Sequence, residues 1–156
     1  MKLSFSTRGW GDLTWEDLLD TAGTMGFSGI EVYNLQNFPA LQEKSGPFHK
    51  YHTAATVRQL REKKLSIPCF ATSLDLSEGD TAVAPLTALF DIARDMRVPY
   101  VVAFAFSDNE QQVQANLNAL LPIAEEKQVT LLLKTSGIYA NTARLRSLLN
   151  DFASDY

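Results

Sequence analysis

Cysteine, histidine and tryptophan are scarce in this 156-residue chain, which has one, two and two of them, and basic residues are outnumbered, fourteen Lys and Arg against eighteen Asp and Glu. Each scarcity excludes something. A lone Cys69 makes neither an internal disulfide nor a cysteine-based zinc site, and its apolar surroundings fit a buried, inert thiol in a reducing compartment. A cytoplasmic location is expected. A formal charge of -4 and a pI near 5.1 give no positive field for a phosphate backbone, so nucleic acid is not an expected partner. No stretch approaches the roughly 18 continuous apolar residues of a membrane span. Residues 1–10 carry a single Lys and no apolar core, so they read as a first strand rather than a secretion signal. Neither of the common glycine-rich nucleotide motifs, G-x-G-x-x-G or G-x-x-x-x-G-K-[ST], occurs.

What is present is a regular alternation. Short runs rich in Val, Ile, Phe and Tyr predict strands at Lys2 to Thr7, Gly29 to Asn34, Ile67 to Leu74, Tyr100 to Phe106 and Thr130 to Thr135. Helical spacing fills the intervals, at Thr14 to Met25, Thr53 to Lys64, Thr81 to Met96, Glu110 to Gln128 and Thr142 to Phe152. In the third of these Leu86, Leu89, Phe90, Ala93 and Met96 share one face. Thr14 before Glu16 and Asp17 is placed to cap the first helix, and Gly26 to end it. Near-continuous apolar runs such as 101–106 and 131–133 predict parallel strands covered on both faces. With 46% hydrophobic residues and no low-complexity tract, the expectation is a single α/β domain over residues 1–156.

A closed eight-stranded βα barrel takes about 250 residues, so five units at this spacing amount to part of one. A flavodoxin-like doubly wound sheet of five strands, ordered 2-1-3-4-5, is the alternative. A receiver-like version of that alternative matches at Asp75 and Lys134 but has no acidic pair after the first strand to hold magnesium. In either architecture ligand-binding groups belong at the carboxyl ends of the strands. The long irregular connection from Leu35 to Tyr51 lies over that end.

Four junctions carry a resemblance: Gly26-Phe27-Ser28-Gly29-Ile30-Glu31, Leu60 through Ile67, Ala93 through Val102, and Ala124 through Leu133. In this order the chain resembles the sugar phosphate isomerase and epimerase group with xylose isomerase-like TIM barrels, which also includes endonuclease IV. The resemblance implies the N-terminal five units of such a barrel. It also implies proton transfer next to the carbonyl of a sugar or sugar phosphate, aided by a divalent metal (Mn, Mg, Zn or Co). Family members place metal ligands at the ends of the last four strands, beginning with a Glu on the fifth. The matching position here is Lys134, whose ammonium donates but cannot ligate, and the other ligand positions would lie beyond Tyr156. No metal site is therefore expected in this chain. Lys134 reads as the mark of a variant or metal-independent member, or else as a positive charge in place of the metal.

Glu31, opposite in phase to Ile30 and Val32, is a candidate base, or half of an ion pair with Arg8 or Lys134. With Lys134 it forms the expected catalytic pair. Arg8, Trp10, Ser73 and Asp75 are the expected substrate-binding residues, Trp10 as a stacking wall and the others as rim groups for hydroxyls or phosphate. Asp80 and Asp108 read as helix caps, and His49 and His52 as surface loop residues. An interaction module competes with the isomerase reading. The last strand, Thr130 to Thr135, has an unpaired edge that would suit a carbohydrate-binding or self-associating half-barrel.

Overall fold

A computed structural model describes residues 1–9 and 14–156. Five strands form one parallel sheet: β1 (Ser4–Ser6), β2 (Gly29–Tyr33), β3 (Cys69–Asp75), β4 (Tyr100–Phe104) and β5 (Thr130–Leu133). The connecting helices are α1 (Trp15–Thr24), a four-residue α2 (Pro39–Gln42), α3 (Thr53–Glu62), α4 (Val83–Met96) and α5 (Glu110–Lys127), with α6 (Thr142–Phe152) after β5. Short 3-10 turns at Leu35–Asn37 and Gly137–Ala140 complete the elements.

Sheet order decides between the two candidate architectures. The strands pair in chain order, β1-β2-β3-β4-β5, with Ser6 beside Glu31, Val32 beside Phe70, Phe70 beside Val101 and Val101 beside Leu131. A flavodoxin-like sheet needs β1 between β2 and β3, so that alternative is excluded. Sequential parallel winding is the order of a βα barrel.

The expectation of two covered faces needs correction. Ile30, Val32, Phe70, Val101, Ala103 and Leu131 are buried in one cluster with the helix residues Leu19, Ala22, Leu60, Leu86, Phe90, Leu120 and Ala124. Alternate residues on the same strands are half-buried or exposed: Glu31, Tyr33, Cys69, Val102, Phe104 and Thr130, with Tyr100 at 42% and Leu132 at 40%. Side chains alternate along a strand, so one face lies under helices and the other is open. In a closed barrel that second face is filled by residues from the remaining strands.

Four helices leave by the same local route. Gly26, Lys64, Arg97 and Gln128 all have positive φ, from +55° to +74°. The residue that follows each donates its N–H to a carbonyl five residues back: Phe27 to Ala22, Leu65 to Leu60, Val98 to Ala93 and Val129 to Ala124, at 2.8 to 3.0 Å. This is the Schellman exit, in which the left-handed residue turns the chain and the next apolar side chain tucks under the helix end. Leu65, Val98 and Val129 are all buried. The four turns coincide with the four junctions that carry the family resemblance.

The first helix begins as expected. Thr14 Oγ1 accepts from the Asp17 N–H at 3.2 Å while Asp17 Oδ2 accepts from the Thr14 N–H at 3.3 Å, a reciprocal capping box. Two other caps are corrected. Asn109, one residue after Asp108, caps α5 by accepting from the Gln112 N–H at 3.3 Å, and Asp108 instead pairs with Arg144 at 2.7 Å. For α4 the cap position is Ala82, and Asp80 contributes only its backbone carbonyl, to Val83 N–H.

Candidate functional site

Parallel pairing brings all five strand ends to one rim, where the backbone ladder stops and side chains take over the bonding. Tyr33 N–H donates to Thr7 Oγ1 at 2.9 Å and Ser73 N–H donates to Asn34 Oδ1 at 2.6 Å. Asn34 has left-handed backbone (φ +51°), a conformation that Asn tolerates better than most residues. Asp75 reaches further. Its Oδ1 accepts from Ser77 N–H at 2.8 Å, Ser77 Oγ–H at 2.5 Å and Phe106 N–H at 3.2 Å, tying the ends of β3 and β4 together. Its other carboxylate oxygen has no partner among the described residues.

Arg8 follows β1 and is exposed, its guanidinium carbon 5.2 Å from the centroid of the Tyr33 ring. Stacking on an aromatic face holds the fork in place without neutralising its charge. Ser73 is exposed on β3, and Lys134 is exposed directly after β5, with no ion-pair partner among the described residues. Both therefore present polar groups to solvent at the rim. Trp10 lies outside the described residues.

Glu31 faces away from buried Ile30 and Val32, as alternation requires. The ion pair with Arg8 or Lys134 is not formed. Arg8 lies on Tyr33 instead, and the polar neighbour of Glu31 is Cys69, whose thiol donates to Oε2 at 3.6 Å. A half-buried carboxylate on the open face keeps contact with water and does not need a counter-ion. The thiol pays attention to burial first: desolvation, and then the Glu31 charge, push the Cys69 thiol up to about 12. Cys69 is thus a neutral donor, not a nucleophile, at ordinary pH.

The two loop histidines are occupied locally. His49 makes an edge contact with Tyr51 at 4.8 Å between centroids, and His52 Nε2 sits 3.0 Å from the Lys44 carbonyl oxygen. Among the described residues no three His, Cys, Asp or Glu side chains converge as metal ligands, so the donor set present does not fit a divalent ion.

Sequence reasoning passed over Thr7, Tyr33 and Asn34, and weighed Ser77 only as a cap before the third helix. An Asn directly after a strand and before a turn is a recognisable left-handed candidate. The roles of Thr7 and Ser77 depend on which strands are neighbours, and no local signal carries that.

No family sequence model matches the chain, and no curated protein matches it in sequence. Solved structures do match in fold. A xylose isomerase domain-containing protein from Salmonella typhimurium LT2 superposes with a TM-score of 0.73 at 11% identity, covering 98% of this chain and 57% of that one. A xylose isomerase domain protein from Planctomyces limnophilus gives 0.67 at 14% identity over 97% and 57%. An IolI protein with a bound zinc atom gives 0.65 at 16% identity over 85% and 51%. The chain therefore spans little more than half the length of these neighbours. Its fold is a partial TIM barrel of the xylose isomerase-like kind, five parallel βα units in sequential order. No helix among the described residues is long and apolar enough to cross a membrane.

Proposed function

We propose that this chain supplies the substrate-binding rim of a sugar or sugar-phosphate isomerase or epimerase, acting by proton transfer next to a carbonyl. One observation carries the reading. Arg8, Ser73, the unbonded oxygen of Asp75 and unpaired Lys134 stand at the carboxyl ends of β1, β3 and β5, on one rim of a sequentially wound parallel sheet, in the fold of xylose isomerase-like proteins. Ser73 and Asp75 suit sugar hydroxyls, and Arg8 and Lys134 suit a phosphate or a developing oxyanion. Glu31 is the base, Trp10 the stacking wall. A divalent metal would be held by carboxylates and a histidine outside this set, since Lys134 occupies the fifth-strand position. The five units alone are then a binding half without full activity, in a cytoplasmic setting.

The test is titration of the isotope-labelled chain with fructose and fructose 6-phosphate, followed by NMR, with deuterium uptake at the carbon next to the carbonyl as a second readout. Saturable shifts confined to the Arg8, Ser73 and Lys134 signals are expected, lost in Lys134→Met for the phosphate. Failure of both sugars to move any rim signal overturns the reading, and Glu31→Gln with unchanged deuterium uptake removes Glu31 as base.

A second reading, a carbohydrate-binding or self-associating module without chemistry, is favoured by Tyr100 and Leu132 on the open face and by β5, paired on one side only. Concentration-dependent dimerisation with no deuterium uptake would support it.

A further inference from the structure

A cavity of about 610 Å³ lies between α1, α3 and the connection that follows β2, and reaches the rim at Thr7 and Tyr33. None of Arg8, Glu31, Ser73, Asp75 or Lys134 lines it. Trp15 and Phe48, 4% and 3% exposed, make two aromatic walls in edge contact, their centroids 5.1 Å apart. Val32, on the helix-covered side of β2, contributes an apolar surface, and Phe38 stands half in solvent.

The walls are fastened in place. Thr56 Oγ1 donates to the Pro47 carbonyl at 2.6 Å, and Gln42 Nε2 donates to the Leu35 carbonyl at 2.7 Å. At Gly46 a Cβ would run into the Leu41 backbone, so the connection packs against α2 with no room for a side chain. A cavity with such supports is pre-formed, and its volume falls in the range of small-molecule sites.

Its chemistry is unfinished. The Trp15 indole N–H is buried and has no acceptor, although buried tryptophans ordinarily find one. The Gln59 amide, also lining the cavity, has no partner among the described residues. Among the described lining residues there is no Lys or Arg and Glu16 is the acidic one, so an anion is disfavoured here, in contrast to the rim.

We propose that this cavity is a second binding site, for a small, flat, uncharged ring compound bearing a hydrogen-bond acceptor. The ring packs against the corner that Trp15 and Phe48 form, its acceptor takes the Trp15 N–H, and the Gln59 amide serves a second polar group. The site adjoins the rim at Thr7 and Tyr33 but shares none of Arg8, Ser73, Asp75 or Lys134 with it.

Benzamide is the probe, with toluene as a ring of similar size lacking the acceptor and fructose 6-phosphate as the rim ligand. The readout is the indole N–H signal of Trp15 in the nitrogen-15 spectrum, assigned by its persistence in Trp10→Phe. Benzamide moves this signal saturably, toluene binds about tenfold more weakly for want of the hydrogen bond, and fructose 6-phosphate leaves it in place. Ala55→Trp, at an exposed α3 position lining the cavity, fills the space and abolishes binding without disturbing the core. An indole signal unmoved by benzamide overturns the proposal, as does benzamide binding that persists in Ala55→Trp. Either result leaves the rim reading untouched, because that reading is tested by different signals and a different ligand.

Discussion

The two faces of the same five strands obey different rules. On the helix side, Ile30, Phe70 and Val101 are fully buried and meet residues from α1, α4 and α5. On the open side, Glu31, Cys69, Tyr100 and Leu132 occupy the alternate positions and remain within reach of solvent. Both rows contain large apolar residues, so composition does not separate them. Burial follows from what lies opposite: helices cover one row, and barrel closure would cover the other. Stability of the five units therefore rests on the helix-covered face, and the open face and the rim keep polar side chains within reach of solvent.

Truncation on each face sharpens the contrast most. Phe70→Ala removes a ring with 0% exposure and is expected to cost about 3–5 kcal/mol, whereas Leu132→Ala, at 40% exposure, should cost below about 1 kcal/mol. Urea unfolding of the two variants measures both, and equal losses would break the comparison.

Cys69 tests the open face by titration. Its folded thiol holds a proton up to about pH 12, above the ordinary thiol range near 9, so any stability linked to it is present below pH 9 and lost as pH rises toward 12. At pH 8 its reaction with a disulfide reagent should run at least about a hundredfold slower than that of the unfolded chain. Glu31→Gln removes the charge that adds to burial, so the rate rises but stays below the unfolded value, because desolvation is the larger cause. A rate in Glu31→Gln equal to the unfolded one would show that burial contributes nothing.

The smallest effect concerns the helix exits. Arg97→Gly and Gln128→Gly relieve a left-handed backbone at φ +59° and +55°. Each should raise stability by about 0.5–1 kcal/mol, the relief of side-chain strain being partly offset by the freer unfolded chain. Thermal unfolding reads the gain, and a loss at either site would show that the Arg97 or Gln128 side chain holds its helix end by contacts of its own.

These exits explain why the fold was legible. A polar residue able to turn left-handed, followed by an apolar one and then a β-rich run, is a local pattern, and it repeats at Lys64-Leu65, Arg97-Val98 and Gln128-Val129. Strand and helix positions followed to within a few residues, with β1 three residues long where six were expected. Sheet order had no local mark, since the pairing of β3 with β2 rather than with β1 is a long-range choice. The site divided along the same line. Arg8, Ser73, Asp75 and Lys134 could be placed at strand ends from their position alone, but the bonding of Asp75 to Phe106 and of Asn34 to Ser73 joins residues more than thirty apart. The cavity was invisible for that reason too, because Trp15, Val32, Phe48 and Thr56 come from three elements and a loop.

Strands that pair only with their predecessor and successor also have a kinetic consequence. Every strand added to this sheet docks on one already in place, so no early segment waits for a late one to complete its hydrogen bonding. Contacts between successive units span about thirty residues, and ordering can spread from neighbour to neighbour as in a repeat array. Growth in the direction of synthesis is then natural, with each emerging unit using the last as its template.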